Sequence, residues 1–164
     1  MIADLRFYAK GSLKEMFWTL FFDKSFRVIV LHRLMKRLSN TRFNVLNRLI
    51  YHRMAVKYNC YISTDAIIGK RVRLAHPFSV VIGAAVIEDD VTIFQNCTIG
   101  SHGNALKPRG YPKIRRGSVL YAGSTVIGDV EVGAFSIVGA NALVKVSVPE
   151  NSIVKSGIPT IKQR

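Results

Sequence analysis

A six-residue spacing of aliphatic residues between Ile62 and Pro149 limits the folds open to this chain. The aliphatic residues recur at this spacing with one slip and one interruption, at Ile62, Ile68, Leu74, then Val81, Ile87, Ile93, Ile99, then Ile114, Leu120, Val126, Val132, Val138 and Val144. Four residues after many of them stands a small or β-branched residue, such as Ala66, Cys97 or Ser124. An α-helix needs apolar residues about 3.6 apart and an isolated strand about 2 apart. The longer period therefore indicates a solenoid of short strands.

Several of these blocks place glycine directly after the aliphatic residue, as in Ile68-Gly69 and Val138-Gly139. The pattern resembles the hexapeptide repeat of the left-handed parallel β-helix acyltransferases, in which three hexapeptides form one triangular coil. The resemblance implies a mainly β fold, a left-handed parallel β-helix. The handedness is implied by the resemblance alone, because parallel crossovers are otherwise right-handed.

Residues 1–60 differ in composition from the repeat. They hold twelve Lys or Arg and three acidic residues, a net charge of +9 within a total of +14. The spacing of Ser12 and Glu15 fits a capping box, and apolar periodicity predicts helices over 26–38 and 42–58. We expect a short basic α-helical arm over 1–60 that caps the β-helix. An acyltransferase domain over 61–164 follows, with a protruding loop at 101–113.

The positive charge favours an anionic partner. The basic residues lie on predicted helices without a recognisable nucleic-acid-reading motif, so nucleic acid is not expected. The basic, aromatic-rich arm is instead predicted to contact an anionic membrane surface. The chain has two cysteines, no metal-ligand spacing and no signal-peptide pattern. We therefore predict a cytoplasmic protein without a metal, peripheral on the inner face of the cell membrane.

His76 interrupts the repeat within the segment Leu74-Ala-His-Pro-Phe-Ser79. The sequence from Ile68-Gly69 through His76 to Val81-Ile-Gly83 resembles the serine acetyltransferase pattern, in which this histidine is the general base. His76 is therefore predicted to be catalytic. Imidazole titrates near neutral pH and can accept the proton that a hydroxyl loses as it attacks a thioester.

The resemblance also implies binding residues and an assembly. The loop is rich in Gly, Pro and charge, and in the family such a loop reaches an active site shared with a neighbouring subunit of a homotrimer. The predicted acceptor-binding residues are His102, Lys107, Arg109, Tyr111 and Tyr61. The group that orients His76 is either the Tyr61 hydroxyl or a backbone carbonyl, and the sequence leaves both open. Acetyl-CoA is the implied co-substrate, in a groove between subunits. The predicted cofactor-binding residues are Ala122, Gly123, Ala140, Lys145 and Lys162.

The chain departs from the serine acetyltransferase pattern where charges are expected. Ala75 replaces the Asp before the histidine, and Tyr61 replaces the Asp fifteen residues before it. Gly110-Tyr111 replaces Arg-His in the loop, and the shorter Gly83-Ala-Ala85 replaces Gly-Glu-Thr-Ala. A charged acceptor needs paired charges when it is buried, so these losses argue against free serine.

The resulting prediction is an O-acetyltransferase that acts on a sugar hydroxyl in bacterial surface polysaccharide biosynthesis. The acceptor glycan is nucleotide-linked, lipid-linked or polymeric, and the sequence does not choose among these. Two alternatives stay open. One is a serine O-acetyltransferase of cysteine biosynthesis, and the other is a non-catalytic trimeric scaffold that binds a membrane or an acidic polymer.

Overall fold

The computed structural model describes residues 2–9, 12–39, 44–103 and 110–157. The helices are α1 (Ile2–Tyr8), α2 (Leu13–Phe22), α3 (Lys24–Leu38) and α4 (Asn44–Tyr58). The strands are β1 (Tyr61–Ile62), β2 (Ile67–Ile68), β3 (Arg73–Ala75), β4 (Val81–Ile82), β5 (Val86–Ile87), β6 (Thr92–Phe94), β7 (Thr98–Gly100), β8 (Lys113–Ile114), β9 (Val119–Leu120), β10 (Thr125–Ile127), β11 (Glu131–Val132), β12 (Ile137–Val138), β13 (Leu143–Val144) and β14 (Ile153–Val154).

The helix starts differ in detail from the prediction. Helix α3 begins two residues earlier than predicted, because the Asp23 carboxylate accepts a hydrogen bond from the Phe26 N–H at 2.9 Å and caps the helix. Ser12 occupies the N-cap position of α2, but its side chain makes no cap hydrogen bond. The predicted capping box therefore lacks the hydrogen bond from a backbone N–H of α2 to the Ser12 side chain.

The strands form three parallel sheets that are the faces of a prism. The first face has the order β1-β4-β7-β10-β13, the second β11-β8-β5-β2, and the third β14-β12-β9-β6-β3. The chain visits the faces in turn, so each strand pairs with the strand one coil away. We call the edge between the third and first faces, which contains residues 76–80, 95–97, 121–124 and 139–142, the His76 corner. The edge between the first and second faces, which contains residues 83–85, 101–103, 110–112 and 128–130, is the loop corner.

The interior of the prism is filled by the aliphatic residues of the repeat. Twelve of the thirteen predicted inward residues are buried, and so are corner residues such as Cys97 and Ser124. Val81 is the exception, since it is 39% exposed whereas its neighbour Ile82 is 1% exposed. Ile82 lies eight residues after Leu74 and five before Ile87, so two residues are added before Ile82 and one is missing after it, in place of the single predicted slip. Side chains alternate along a strand, and a shift of one residue exchanges the inner and outer faces.

The arm closes the open end of the prism with hydrogen-bond donors. Backbone N–H groups of each coil donate to carbonyls of the next coil, as Tyr61 N does to Val80 O at 2.9 Å. The carbonyls of the first coil therefore have no strand partner and need donors from elsewhere. The arm supplies them through His32 to Ser63 O, Lys36 to Ala66 O, Arg33 to Ile68 O and Gly69 O, Tyr8 to Val72 O, and Ser25 to Leu74 O.

The outer surface of the arm carries many exposed apolar side chains. On α2 these are Phe17, Trp18, Leu20, Phe21 and Phe22, each 47–62% exposed. Within the described parts of the chain, no helix has the length and apolar character needed to cross a bilayer.

Candidate active site

His76 lies on an extra turn at the His76 corner. Strand β3 ends at Ala75, directly before it, and the His76 side chain is exposed. The repeating left-handed positions of this corner are Ser79, Asn96, Gly123 and Asn141, each with φ between +52° and +72°. His76 adds a second left-handed residue, with φ of +61°, because this corner is two residues longer than the repeat requires. Left-handed residues recur at the corners of this prism, so the added turn, and not the conformation itself, distinguishes His76.

Aromatic rings extend from His76 along the corner. The His76 and Phe94 ring centroids are 6.4 Å apart, and Phe94 stacks on Tyr121 with a centroid distance of 5.0 Å. Among the described residues, no side chain makes a hydrogen bond to the His76 imidazole. The ring is therefore open to a bound substrate on the outside of the prism.

A cavity of about 500 Å³ lies between the arm and the third face, with His76 and Ala75 in its wall. Its polar lining comes from Tyr8, Asp23 and Ser25 of the arm and from Arg73 of β3. The Tyr8 hydroxyl donates to Val72 O at 2.9 Å and accepts from Leu74 N at 3.4 Å. Burial raises the pKa of Tyr8 above its ordinary value, so the phenol stays protonated at neutral pH.

Sequence reasoning missed the polar side chains of this cavity. Three of them lie more than forty residues before His76 in the chain, and no motif connects them to the repeat. Arg73 was the one with a local signal, since it lies three residues before His76 on the outer side of the same strand.

Three predicted cofactor-binding residues share a corner with His76. Ala122 and Gly123 lie two coils further along it, and Ala140 lies three coils further. Gly123 has φ of +72°, a left-handed conformation that favours glycine, and it packs against the side chain of Asn141 on the next coil. Lys145 follows β13 at the loop corner instead, and Lys162 lies outside the described residues.

The predicted acceptor-binding residues that the structure describes do not contact His76 within one chain. The His102 ring lies against Gly128, and the Tyr111 ring lies against Gly83, both at the loop corner. Tyr61 is on the first face, with its ring 6.3 Å from the Tyr51 ring, and it lines a different cavity from His76. Lys107 and Arg109 lie outside the described residues.

The described residues contain no group of three or more His, Cys, Asp or Glu side chains placed to hold a metal ion. The two cysteines, Cys60 and Cys97, are free and buried, and burial raises the pKa of each thiol. Neither cysteine is therefore poised as a reactive thiolate.

The fold is a parallel β-helix of hexapeptide repeats, with His76 exposed on an added turn at one corner. No protein-family model matches the chain. The particular proteins that it resembles are serine acetyltransferases. It is 33% identical to those of Buchnera aphidicola and Escherichia coli over 141 residues, which is 85% of this chain and 51% of each relative. The chain thus spans about half the length of the curated relatives it matches.

Solved structures point to the same proteins. A serine acetyltransferase from Brucella abortus in complex with coenzyme A matches with a TM-score of 0.84 and 28% identity. The match covers 96% of this chain and 64% of that one. A truncated serine acetyltransferase apoenzyme matches with a TM-score of 0.82 over 92% of this chain.

These comparisons confirm the predicted left-handed parallel β-helix with amino-terminal helices. They also agree with the predicted reaction class, O-acetyl transfer, and with acetyl-CoA as co-substrate. The predicted sugar acceptor is wrong, because the relatives that match over most of the chain are serine acetyltransferases. The error came from judging the acceptor by charges missing at four places, three in the repeat and one in the loop, and not by the similarity of the whole chain.

Proposed function

We propose that this protein is a serine O-acetyltransferase that moves the acetyl group of acetyl-CoA to the hydroxyl of L-serine, with His76 as general base. The 33% identity to serine acetyltransferases over 141 residues carries the proposal. The exposed imidazole on an extra turn, beside a cavity with polar walls, supports it at the level of the site.

The chemistry needs one proton shuttle. The His76 imidazole takes the proton of the serine hydroxyl while the oxygen attacks the thioester carbonyl. A C–O bond forms, the tetrahedral intermediate collapses, and the C–S bond breaks. The proton then passes from His76 to the departing thiolate, which leaves as free coenzyme A. A backbone N–H stabilises the negative oxygen of the intermediate, and no covalent acyl-enzyme forms.

Acetyl-CoA is proposed to lie along the His76 corner. Ala122, Gly123 and Ala140 lie on this side of the prism, and their small side chains leave the backbone accessible to a ligand. The proposed contacts of Lys145 and Lys162 with the nucleotide phosphates extend the same hypothesis.

A homotrimer is part of the proposal. Within one chain the first face separates the His76 corner from the loop corner, where His102 and Tyr111 lie. Packing of three prisms side by side places the loop corner of one subunit against the His76 corner of the next. His102, Tyr111, Lys107 and Arg109 then reach the acceptor of a neighbouring subunit. Light scattering is expected to give three times the chain mass, and a monomer at micromolar concentration would contradict this assembly.

The organisation of the chain and its location extend the proposal. Residues 1–60 form the arm and residues 61–164 the transferase domain. The exposed α2 aromatics and the net charge of +9 support docking of the arm on an anionic bilayer. The membrane is then the inner face of the cell membrane, where acetyl-CoA is present.

Release of coenzyme A thiol from acetyl-CoA and L-serine tests the activity. The His76→Ala variant is expected to lose a factor of about 10² to 10⁴ in kcat, because the hydroxyl then lacks a base. His52→Ala is the matched control, since His52 is an exposed histidine on α4. Equal turnover by wild type and His76→Ala would remove His76 from the mechanism, and no serine-dependent thiol release would refute the proposed function.

A further inference from the structure

The cavity beside His76 holds one cation and one anion from distant parts of the chain. Arg73 lies on β3, three residues before His76, and Asp23 lies at the start of α3. Both line the cavity of about 500 Å³ that includes His76. This volume is within the range of small-molecule sites, about 300–1,000 Å³.

Among the described residues, Arg73 and Asp23 take part in no ion pair, either with each other or with a third side chain. The Asp23 Oδ1 atom accepts the α3 cap hydrogen bond from Phe26 N at 2.9 Å, which holds the carboxylate in place. Two nearby arginines differ in this respect, since Arg33 of α3 pairs with Asp4 and Arg71 of the first coil pairs with Asp90.

Asp23 and Arg73 line the same cavity as Tyr8. Burial is the largest influence on the pKa of Tyr8 and raises it, the hydrogen bond with Leu74 N lowers it, Asp23 and Asp4 raise it, and Arg73 lowers it. The arm is also fixed to β3 at this place, because Tyr8 bonds to Val72 O and Ser25 to Leu74 O. Opposite charges thus line one cavity whose wall contains the imidazole.

We infer that Arg73 and Asp23 recognise the amino-acid acceptor, with the Arg73 guanidinium binding the α-carboxylate and the Asp23 carboxylate binding the α-ammonium group. A planar guanidinium matches a carboxylate through two parallel hydrogen bonds. A zwitterion leaves water at low cost only where both of its charges find partners. The inference rests on the proposed function and adds a site for serine that replaces the charges absent at Ala75 and Tyr61.

The test compares acceptors that lack one charge. L-serine, L-serinamide and 3-hydroxypropionate are each assayed for thiol release at saturating acetyl-CoA. Serinamide lacks the carboxylate and 3-hydroxypropionate lacks the ammonium group. Arg73→Gln removes the cation, and Asp23→Asn removes the anion while keeping an oxygen for the α3 cap. Lys24→Gln is the control, because Lys24 is an exposed charge next to Asp23 that does not line the cavity.

In wild type and in the control, kcat/KM is expected to favour L-serine over both analogues. Arg73→Gln is expected to lose about tenfold or more in kcat/KM for L-serine and to lose the preference over serinamide, while the preference over 3-hydroxypropionate remains. Asp23→Asn is expected to show the opposite pattern. KM for acetyl-CoA should stay within about twofold of the wild-type value.

The outcomes test the roles of Arg73 and Asp23 separately from the proposed serine acetyltransferase activity. Unchanged discrimination by both variants, with normal wild-type turnover of L-serine, would overturn the assignment of Arg73 and Asp23 alone. Absence of serine-dependent thiol release by the wild type would overturn the proposed function and this inference with it. A merely structural role would lower the rate for all three acceptors equally, which also contradicts the assignment.

Discussion

Replacing His32 by glutamine is expected to remove most of the acid sensitivity of folding between pH 6.5 and pH 4.5. His32 is 1% exposed, and its Nε2 atom lies 3.1 Å from Ser63 O. Because the carbonyl can only accept, Nε2 carries the hydrogen. The Nδ1 atom is buried without a hydrogen-bond partner, so a proton placed there would be unpaired.

The direction of the effect follows from the shifted pKa. Burial lowers the pKa of His32 from 6.5 to about 4, the bond to Ser63 opposes this, and the nearby Lys36 and Arg33 charges lower it further. Below pH 6.5 the unfolded chain therefore binds a proton that the folded chain does not. The stabilisation is present above pH 6.5 and falls as the pH drops toward 4. The full difference is about 3 kcal/mol, of which about 2 kcal/mol is lost by pH 4.5.

Urea unfolding at pH 7.0 and pH 4.5, followed by circular dichroism at one protein concentration, measures this loss. Glutamine keeps an N–H donor for Ser63 O and does not titrate, so His32→Gln should lose about 2 kcal/mol less than wild type over the same interval. Several carboxylates also have a lowered pKa, because Arg115 bonds to Glu88 and Glu131 and Arg71 bonds to Asp90. The stabilisation that these ionised carboxylates give the folded state is lost mainly below pH 4.5. Equal losses in the two proteins would refute the role given to His32.

Two further predictions concern the register of the repeat and the surface of the arm. Ile82→Ala should lower the free energy of unfolding by about 2–5 kcal/mol, whereas Val81→Ala should change it by less than about 1 kcal/mol, in urea titrations. Comparable losses would contradict the placement of Ile82 inside and Val81 outside. Sedimentation with anionic vesicles should remove the wild-type protein from solution. A Trp18→Ser, Phe22→Ser double variant should stay in solution to a much larger extent. Val56→Ser is the control, because Val56 is an exposed apolar residue on α4, and it should sediment like wild type. If all three proteins sediment equally, or if the wild-type protein does not sediment with the vesicles, α2 is excluded as a membrane contact.

The sequence predicted most of the fold because a solenoid repeats its contacts. The six-residue period identified twelve buried aliphatic positions and the burial of Cys97. It failed at Val81, since two extra residues at the His76 corner and one missing residue before Ile87 nearly cancel in the count. Periodicity alone cannot say on which side of such a strand the slip falls.

The acceptor was the part that sequence reasoning got wrong. Ala75 and Tyr61 replace charged residues of the serine acetyltransferase pattern, and this was interpreted as loss of an amino-acid site. A binding site depends on which charges surround the ligand, and these need not come from the same positions in the chain. The similarity to serine acetyltransferases extends over 141 residues, and the few positions that differ from their pattern were given too much weight in predicting the acceptor.

The repeat and His76 could be read directly from the sequence. Neighbouring coils meet at regular separations along the chain, so their contacts leave a periodic trace in it. Only the tertiary structure revealed the pocket beside that histidine. It depends on contacts between the arm and β3 that join residues 64 and 49 positions apart, Tyr8 with Val72 and Ser25 with Leu74. Such contacts follow no period, because they depend on how four helices pack against the end of the prism.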